Sequence, residues 1–242
     1  WQPSGECRLT VLAVSGIALY APSSLAAIPG AARAASEYQV TVKRVDLCTD
    51  SACSTFVTIG SGNKVFDIAS VAAGAAVGSY ADVGGLAAGI TYTHVRAYVD
   101  ETITMTGGGV SDDADVTCYT DATPTQDGDA NTAEISDNTT ASGVSEDYIV
   151  PSDAGSFTGL VDSDWEDLNI TVRNTDANTV GDVVITYPLT ASYTTIDQEP
   201  LIEIQFDTST AVGVLDTDPT AGDGNCSIFP RPPTVTITIR DP

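Results

Sequence analysis

Positive charge is what this chain has least of. Nine Lys and Arg stand against 33 Asp and Glu, a net charge of −24 over 242 residues. Phosphate recognition needs clustered Lys and Arg, so nucleic acid is excluded as a partner. An anionic membrane surface is disfavoured for the same reason. Between Arg96 and Arg173 there is no Lys or Arg at all. Such a surface repels itself unless salt or a divalent cation screens it. Histidine is nearly missing too. His94 is the only one, so any histidine-dependent triad has a single candidate. In "TYTHVRAY" it alternates with Val95, which makes it a structural or surface residue of a strand. No G-x-S-x-G occurs, and "GSGNK" (60–64) lacks the Walker spacing. No nucleophile stands beside a base in any recognisable pattern, and the chain reads as non-enzymatic.

A long apolar run is also lacking. The best one, Leu9 to Tyr20, is interrupted at Gly16 and followed by Pro22. It is too short and too broken for a membrane span. Arg8 precedes it, and Ser24-Leu25-Ala26 fits the small-x-small cleavage rule. Residues 1–26 therefore read as a signal peptide for Sec export, with the mature chain starting near Ala27. The competing expectation is a retained apolar N-terminal helix packed inside a fibre, as in pilin-type subunits. Either way the protein is expected outside the cell or at its surface.

Without the leader and its Cys7, four cysteines remain: Cys48, Cys53, Cys118 and Cys226. An even number in an exported chain argues for disulfides. "CTDSAC" can close on itself across a tight turn, because Thr-Asp-Ser is turn chemistry. Cys118 then pairs with Cys226. Zinc is disfavoured, since Cys118 and Cys226 stand alone and no H-x₃₋₅-H exists. A redox dithiol wants C-x-x-C, which is absent.

Strand signals dominate. "YQVTVKRVDL" (38–47) alternates, with Val40, Val42, Val45 and Leu47 giving a near-regular apolar face whose phase slips between Val42 and Val45. "TFVTIG" (55–60) and "KVFDIA" (64–69) follow, with "GSGN" (60–63) expected as a hairpin turn between them. Further strands are expected at 91–107, 168–174, 182–190 and 201–208. In "TVTITIRD" (234–241), Val235, Ile237 and Ile239 alternate strictly with Thr236, Thr238 and Arg240. The fold class is all-β, an immunoglobulin- or prealbumin-like β-sandwich. The halves 37–107 and 146–242 could form one sandwich or two. Residues 108–145, rich in Gly, Asp and Thr, read as a long acidic polar insertion or linker.

Residues 37–107 carry "YQVTVKRVDLC" and then "VFDIASVAAGAAVGSYADVGGLAAGITYTHVRAYV". The Val45-Asp46-Leu47 strand end, Phe66-Asp67-Ile68, the Leu86–Tyr92 turn and Val95-Arg96 resemble a domain of unknown function. That domain is found in bacterial lipoproteins and exported surface proteins. The resemblance implies a β-sandwich and carries over no catalytic residue.

No organic cofactor is called for, and Ca²⁺ is the one candidate ion. Asp127, Asp129 and Asn131 have the 1, 3, 5 spacing of a calcium loop, but Thr132 replaces the glycine and Asn138 the final glutamate of an EF-hand. Asp162, Asp164 and Asp167, and Asp216, Asp218 and Asp223, are further acidic groups. Asn138, Asn169 and Asn225 match the N-glycan acceptor pattern. Trp165 is a candidate stacking platform for a sugar ring, set against core packing. Two roles follow. The first is a structural subunit of a cell-surface layer or filament that self-associates into a homopolymer, with the 234–241 strand available for donation to a neighbour. The second is a glycan-binding or adhesion module with Ca²⁺-held loops.

Overall fold

The computed structural model describes residues 28, 30–70, 86–112, 116–120, 135–136, 143–150, 170–173, 181–196, 200–216 and 226–240. Among these, every regular element is a strand. In chain order they are β1 (Ala31–Arg33), β2 (Ala35–Cys48), β3 (Phe56–Asp67), β4 (Thr91–Val110), β5 (Thr117–Tyr119), β6 (Ile135–Ser136) and β7 (Glu146–Ile149). Then come β8 (Ile170–Arg173), β9 (Asp182–Thr194), β10 (Leu201–Asp207), β11 (Val212–Asp216), β12 (Cys226–Pro230) and β13 (Thr234–Arg240).

The large layer is an antiparallel sheet in the order β3-β2-β4-β9-β8, with β5 and β7 also paired to β4. The 20-residue β4 is its spine, as the β-branched and aromatic content of 91–107 leads one to expect. Facing it lies a second layer in two pieces, the pair β10-β13 and the sheet β1-β11-β12-β6. One core forms where Val45, Leu47, Val95 and Leu189 of the large sheet meet Ile237 and Ile239 of β13. The other forms where Tyr38, Ile103, Met105 and Tyr148 meet Val212, Val214 and Ile228. This is a β-sandwich. Because β4 pairs with β9 over Thr91–Asp100, both β-rich halves contribute to one sheet, and they do not close separate sandwiches.

Strict alternation in 234–241 is matched in space. Ile202 faces Ile239, Ile204 faces Ile237 and Phe206 faces Val235 across β10 and β13. Cross-strand apolar pairs like these are the stabilising unit of a sheet. On β2 the apolar set slips phase between Val42 and Val45. The cause is a bulge, since Val42 lies opposite Val99 and Arg44 opposite Tyr98, so two residues on β2 face one on β4.

The expected hairpin at 60–63 is not formed. Residues 56–67 are one continuous strand along β2. Two irregularities, between Val42 and Arg44 and between Val45 and Asp46 in the β2 register, absorb the extra β3 residues. Gly62, at φ 103°, supplies the positive dihedral that reads as a turn in sequence. The described pieces of 108–145 are likewise tied in, with β5 on β4 and β6 on β12. Gly108 permits the first contact, because a Cβ there would sit 2.2 Å from the Cys118 carbonyl oxygen.

Between the layers is an apolar cavity of about 130 Å³, walled by residues such as Val42, Val99, Ile185, Phe206 and Pro232. It is smaller than the roughly 300–1,000 Å³ of pockets for drug-sized ligands. The Tyr38 hydroxyl is buried nearby and donates to the Arg231 carbonyl at 3.0 Å. Burial, and then the neighbouring Tyr187, push its ionisation far above the usual range.

Candidate functional site

The inner face of the large sheet is filled by apolar side chains. Alternation therefore sends the residues between them to the outer face. There β2 contributes Arg44, Asp46 and Cys48, β3 contributes Phe56 and Thr58, and β4 contributes His94, Arg96 and Tyr98. Asp46 lies opposite both Thr58 and Arg96, and Arg44 lies opposite Tyr98.

These side chains form one cluster. Asp46 is fully buried. Its Oδ1 accepts from Arg44 Nε at 2.7 Å and from Thr58 Oγ1 at 2.8 Å. Its Oδ2 accepts from Arg96 Nη2 at 2.9 Å and Nε at 3.2 Å. Four donors use up the lone pairs of the carboxylate. Both guanidinium groups also sit against two aromatic rings. The Arg44 Cζ is 5.0 Å from the Phe56 centroid and 5.1 Å from that of Tyr98. The Arg96 Cζ is 4.6 and 5.4 Å from the same two centroids. At these distances the ring quadrupoles attract the cations. Two guanidinium groups against one carboxylate leave a positive excess, in a chain that is elsewhere strongly acidic. The cluster is reachable, since the Phe56 residue is 44% exposed and the Arg44 side chain 35%.

A disulfide braces this face. Cys48 and Cys53 are joined, with their Cα atoms 4.8 Å apart. Both are buried. The turn they close is held by Thr49 N–H to the Thr55 carbonyl and by Cys53 N–H to the Asp50 carbonyl. Asp50 Oδ1 accepts from Ser54 N–H at 3.1 Å. That backbone bond, above all, holds its carboxyl below the usual range. Cys53 takes a φ of 49°. The chain leaves this turn at Phe56, so the staple fixes where the exposed ring stands. His94, opposite Cys48, shares a 2.8 Å hydrogen bond between Nδ1 and Thr93 Oγ1. It stands at the border of the cluster.

A second charged group lies at the bulged region of β2 and β4. Asp100 and Asp182 are cross-strand neighbours, and like charges directly opposite destabilise a sheet. Lys43 Nζ offsets this, at 2.9 Å from Asp100 and 2.8 Å from Asp182. Partial burial alone would lower the Lys43 ionisation, but the bonds to Asp182 and Asp100 raise it. Glu101 beside them is 1% exposed. Burial raises its pKa, against the Gly181 N–H bond that lowers it. A carboxyl raised on folding is easier to protonate in the folded state, so its contribution worsens as pH climbs through the shifted value. Glu101→Gln is therefore expected to raise stability at pH 7–8 and to leave it unchanged below about pH 4, where wild type is also neutral. Urea unfolding at both pH values checks this, and a larger gain at low pH would contradict it.

The remaining sequence candidates are distributed as follows. Cys118 is fully buried in the core and disulfide-bonded. Its strand β5 packs against β12, which starts at Cys226, and the Cys226 side chain lies outside the described residues. Asp127, Asp129, Asn131, Asn138, Trp165, Asn169 and Asn225 lie outside them too, as do Asp162, Asp164, Asp167, Asp218 and Asp223. Asp216 is a buried residue at the end of β11. Among the described residues no three His, Cys, Asp or Glu side chains are grouped to hold a metal ion. No described helix is long and apolar enough to cross a membrane.

No family model, curated protein or solved structure matches this chain. The cluster around Asp46 was not singled out in the sequence, although Asp46 and Arg96 each lie inside a strand pattern noted there. The available signal was an arginine at a polar position of each of two alternating strands, in a chain with very few. Only the strand register brings them together.

Proposed function

We propose that this chain is a non-catalytic, exported structural protein, a subunit of a cell-surface layer or extracellular filament whose copies associate with one another. The observation that carries this reading is the outer face itself. An aromatic and cationic cluster with a positive excess stands on a disulfide-braced sheet, in a chain of net charge −24. Disulfides with buried sulfurs fit an oxidising compartment. The likeness of residues 37–107 to exported surface domains points the same way.

Strand donation is the less favoured route to assembly. β13 pairs with β10 of its own chain along seven residues. Thr190 Oγ1 also donates to the Ile237 carbonyl at 2.7 Å, capping part of β13. On the outer strand β3, two register irregularities and Lys64 blunt the edge, as natural sheets do to avoid edge pairing. Association through side-chain faces is the route these features leave open. The glycan-binding alternative rests on Trp165, outside the described residues.

Sedimentation velocity and negative-stain microscopy of the exported, oxidised protein near 0.15 M salt test the reading. Dimers or ordered polymers are expected. A strict monomer from micromolar to millimolar concentration would overturn it.

A further inference from the structure

We infer that the Arg44 end of the outer-face cluster is a docking site for carboxylates of a second copy of this chain. The inference rests on the self-association proposed above and names its contact. Asp46 engages only Nε of Arg44. Among the described residues no acceptor is bonded to the two terminal nitrogens of that guanidinium. They are the fork that binds a carboxylate bidentately. Arg96 is different, because Asp46 takes both its Nε and its Nη2 and its side chain is only 13% exposed. It holds the cluster together, and Arg44 presents it.

The fork is already oriented. Asp46 fixes Nε, and the rings of Phe56 and Tyr98 lie within 5.1 Å of the Arg44 Cζ. Side-chain freedom that a lone surface arginine would lose on binding is therefore largely spent before the partner arrives. Phe56, 44% exposed, adds an apolar contact beside the charge. Aromatic and arginine side chains together are what interface hot spots are made of.

Charge identifies the occupant. A chain with 33 acidic and nine basic residues offers many carboxylates and few competing cations. Of the other basic side chains described, Lys43 is engaged by Asp100 and Asp182, Arg33 by the Val110 carbonyl and Arg231 by the Ile28 and Gly30 carbonyls. Lys64 stands over the Phe66 ring. Long-range repulsion between two such chains is screened near 0.15 M salt, where the Debye length is about 8 Å, while contact-distance pairs persist. Association is thus expected to be weak in very dilute salt, strongest at intermediate salt, and weak again near 1 M.

The test compares the full exported chain with Arg44→Gln and Arg44→Lys by sedimentation velocity across that salt series. Arg44→Gln is expected to lower the association constant at least tenfold, and Arg44→Lys, which keeps the charge but not the fork, to recover only a small part of it. Thermal melts of both variants confirm folding, and Phe56→Ala gives a second variant that leaves Asp46 paired. Wild type that stays monomeric overturns the self-association reading and this contact with it. Association undiminished by both Arg44→Gln and Phe56→Ala leaves that reading standing and overturns the contact alone. A monomer that binds polygalacturonate, and loses it in Arg44→Gln, assigns the fork to an anionic glycan and overturns the second copy as occupant.

Discussion

Asp46→Ala is expected to be the most damaging substitution on the outer face, costing about 3 kcal/mol and lowering the melting temperature by roughly 6–12 °C. Two arginines converge on this one buried carboxylate. Deleting it leaves Arg96, almost wholly covered, beside a second guanidinium with nothing between them but two rings. The cost comes from the stranded cations, and the value of the ion pairs contributes less. A double variant separates the two. Asp46→Leu combined with Arg96→Met removes both the buried acid and the more covered base, and is expected to recover most of the loss. Urea titrations of the single and double variants check this. A double variant as unstable as Asp46→Ala would show that packing, and not uncompensated charge, is what the site supplies. Arg44 is more exposed, so its removal is expected to cost far less stability, which keeps it usable as a probe of association.

The largest effect of all is expected at Cys118. A bridge from Cys118 to Cys226 would close a loop of about 100 residues, worth roughly 4–5 kcal/mol in the chain-entropy model. The Cys48–Cys53 bridge spans five positions, and the same model gives it about 2 kcal/mol. Cys118→Ala should therefore destabilise about twice as much as Cys48→Ala combined with Cys53→Ala. Mass spectrometry of a non-reduced digest supplies the covalent half of the test. It should yield one peptide pair joining Cys118 to Cys226, and Cys48 joined only to Cys53. A bridge between Cys48 and Cys118, or an equal loss of stability in the two sets of variants, would contradict the assignment.

The layers of the sandwich were legible where the residues alternate cleanly. Val235, Ile237 and Ile239 face the core as their period of two requires. The 91–107 pattern gave β4 to within a few residues. The phase slip between Val42 and Val45 was visible too, but only the register explains it as a bulge. At Gly60–Asn63 the sequence misled, because turn residues also make bulges when a neighbouring strand supplies the missing hydrogen bonds. β11 and β12 escaped notice since they are short and interrupted. Gly213 has no side chain because the Phe229 ring lies over it, and a period of two cannot reveal such a pairing. The Asp46 cluster was illegible for a related reason. Arg44, Phe56 and Arg96 each look like ordinary solvent-facing residues of a strand. Their meeting is set by pairings between segments about 50 positions apart.

A far longer pairing bears on the order in which the strands can assemble. Among the described residues β1 has a single partner strand, with Ala31 opposite Val214 and Arg33 opposite Val212. Its place in the sheet cannot be taken until residues 212–214, about 180 positions further on, have been synthesised. β2, β3 and β4 can pair with one another first, but β1 must wait, and closing so long a loop makes completion of its sheet slow. Refolding from denaturant should accordingly run over milliseconds to seconds or longer.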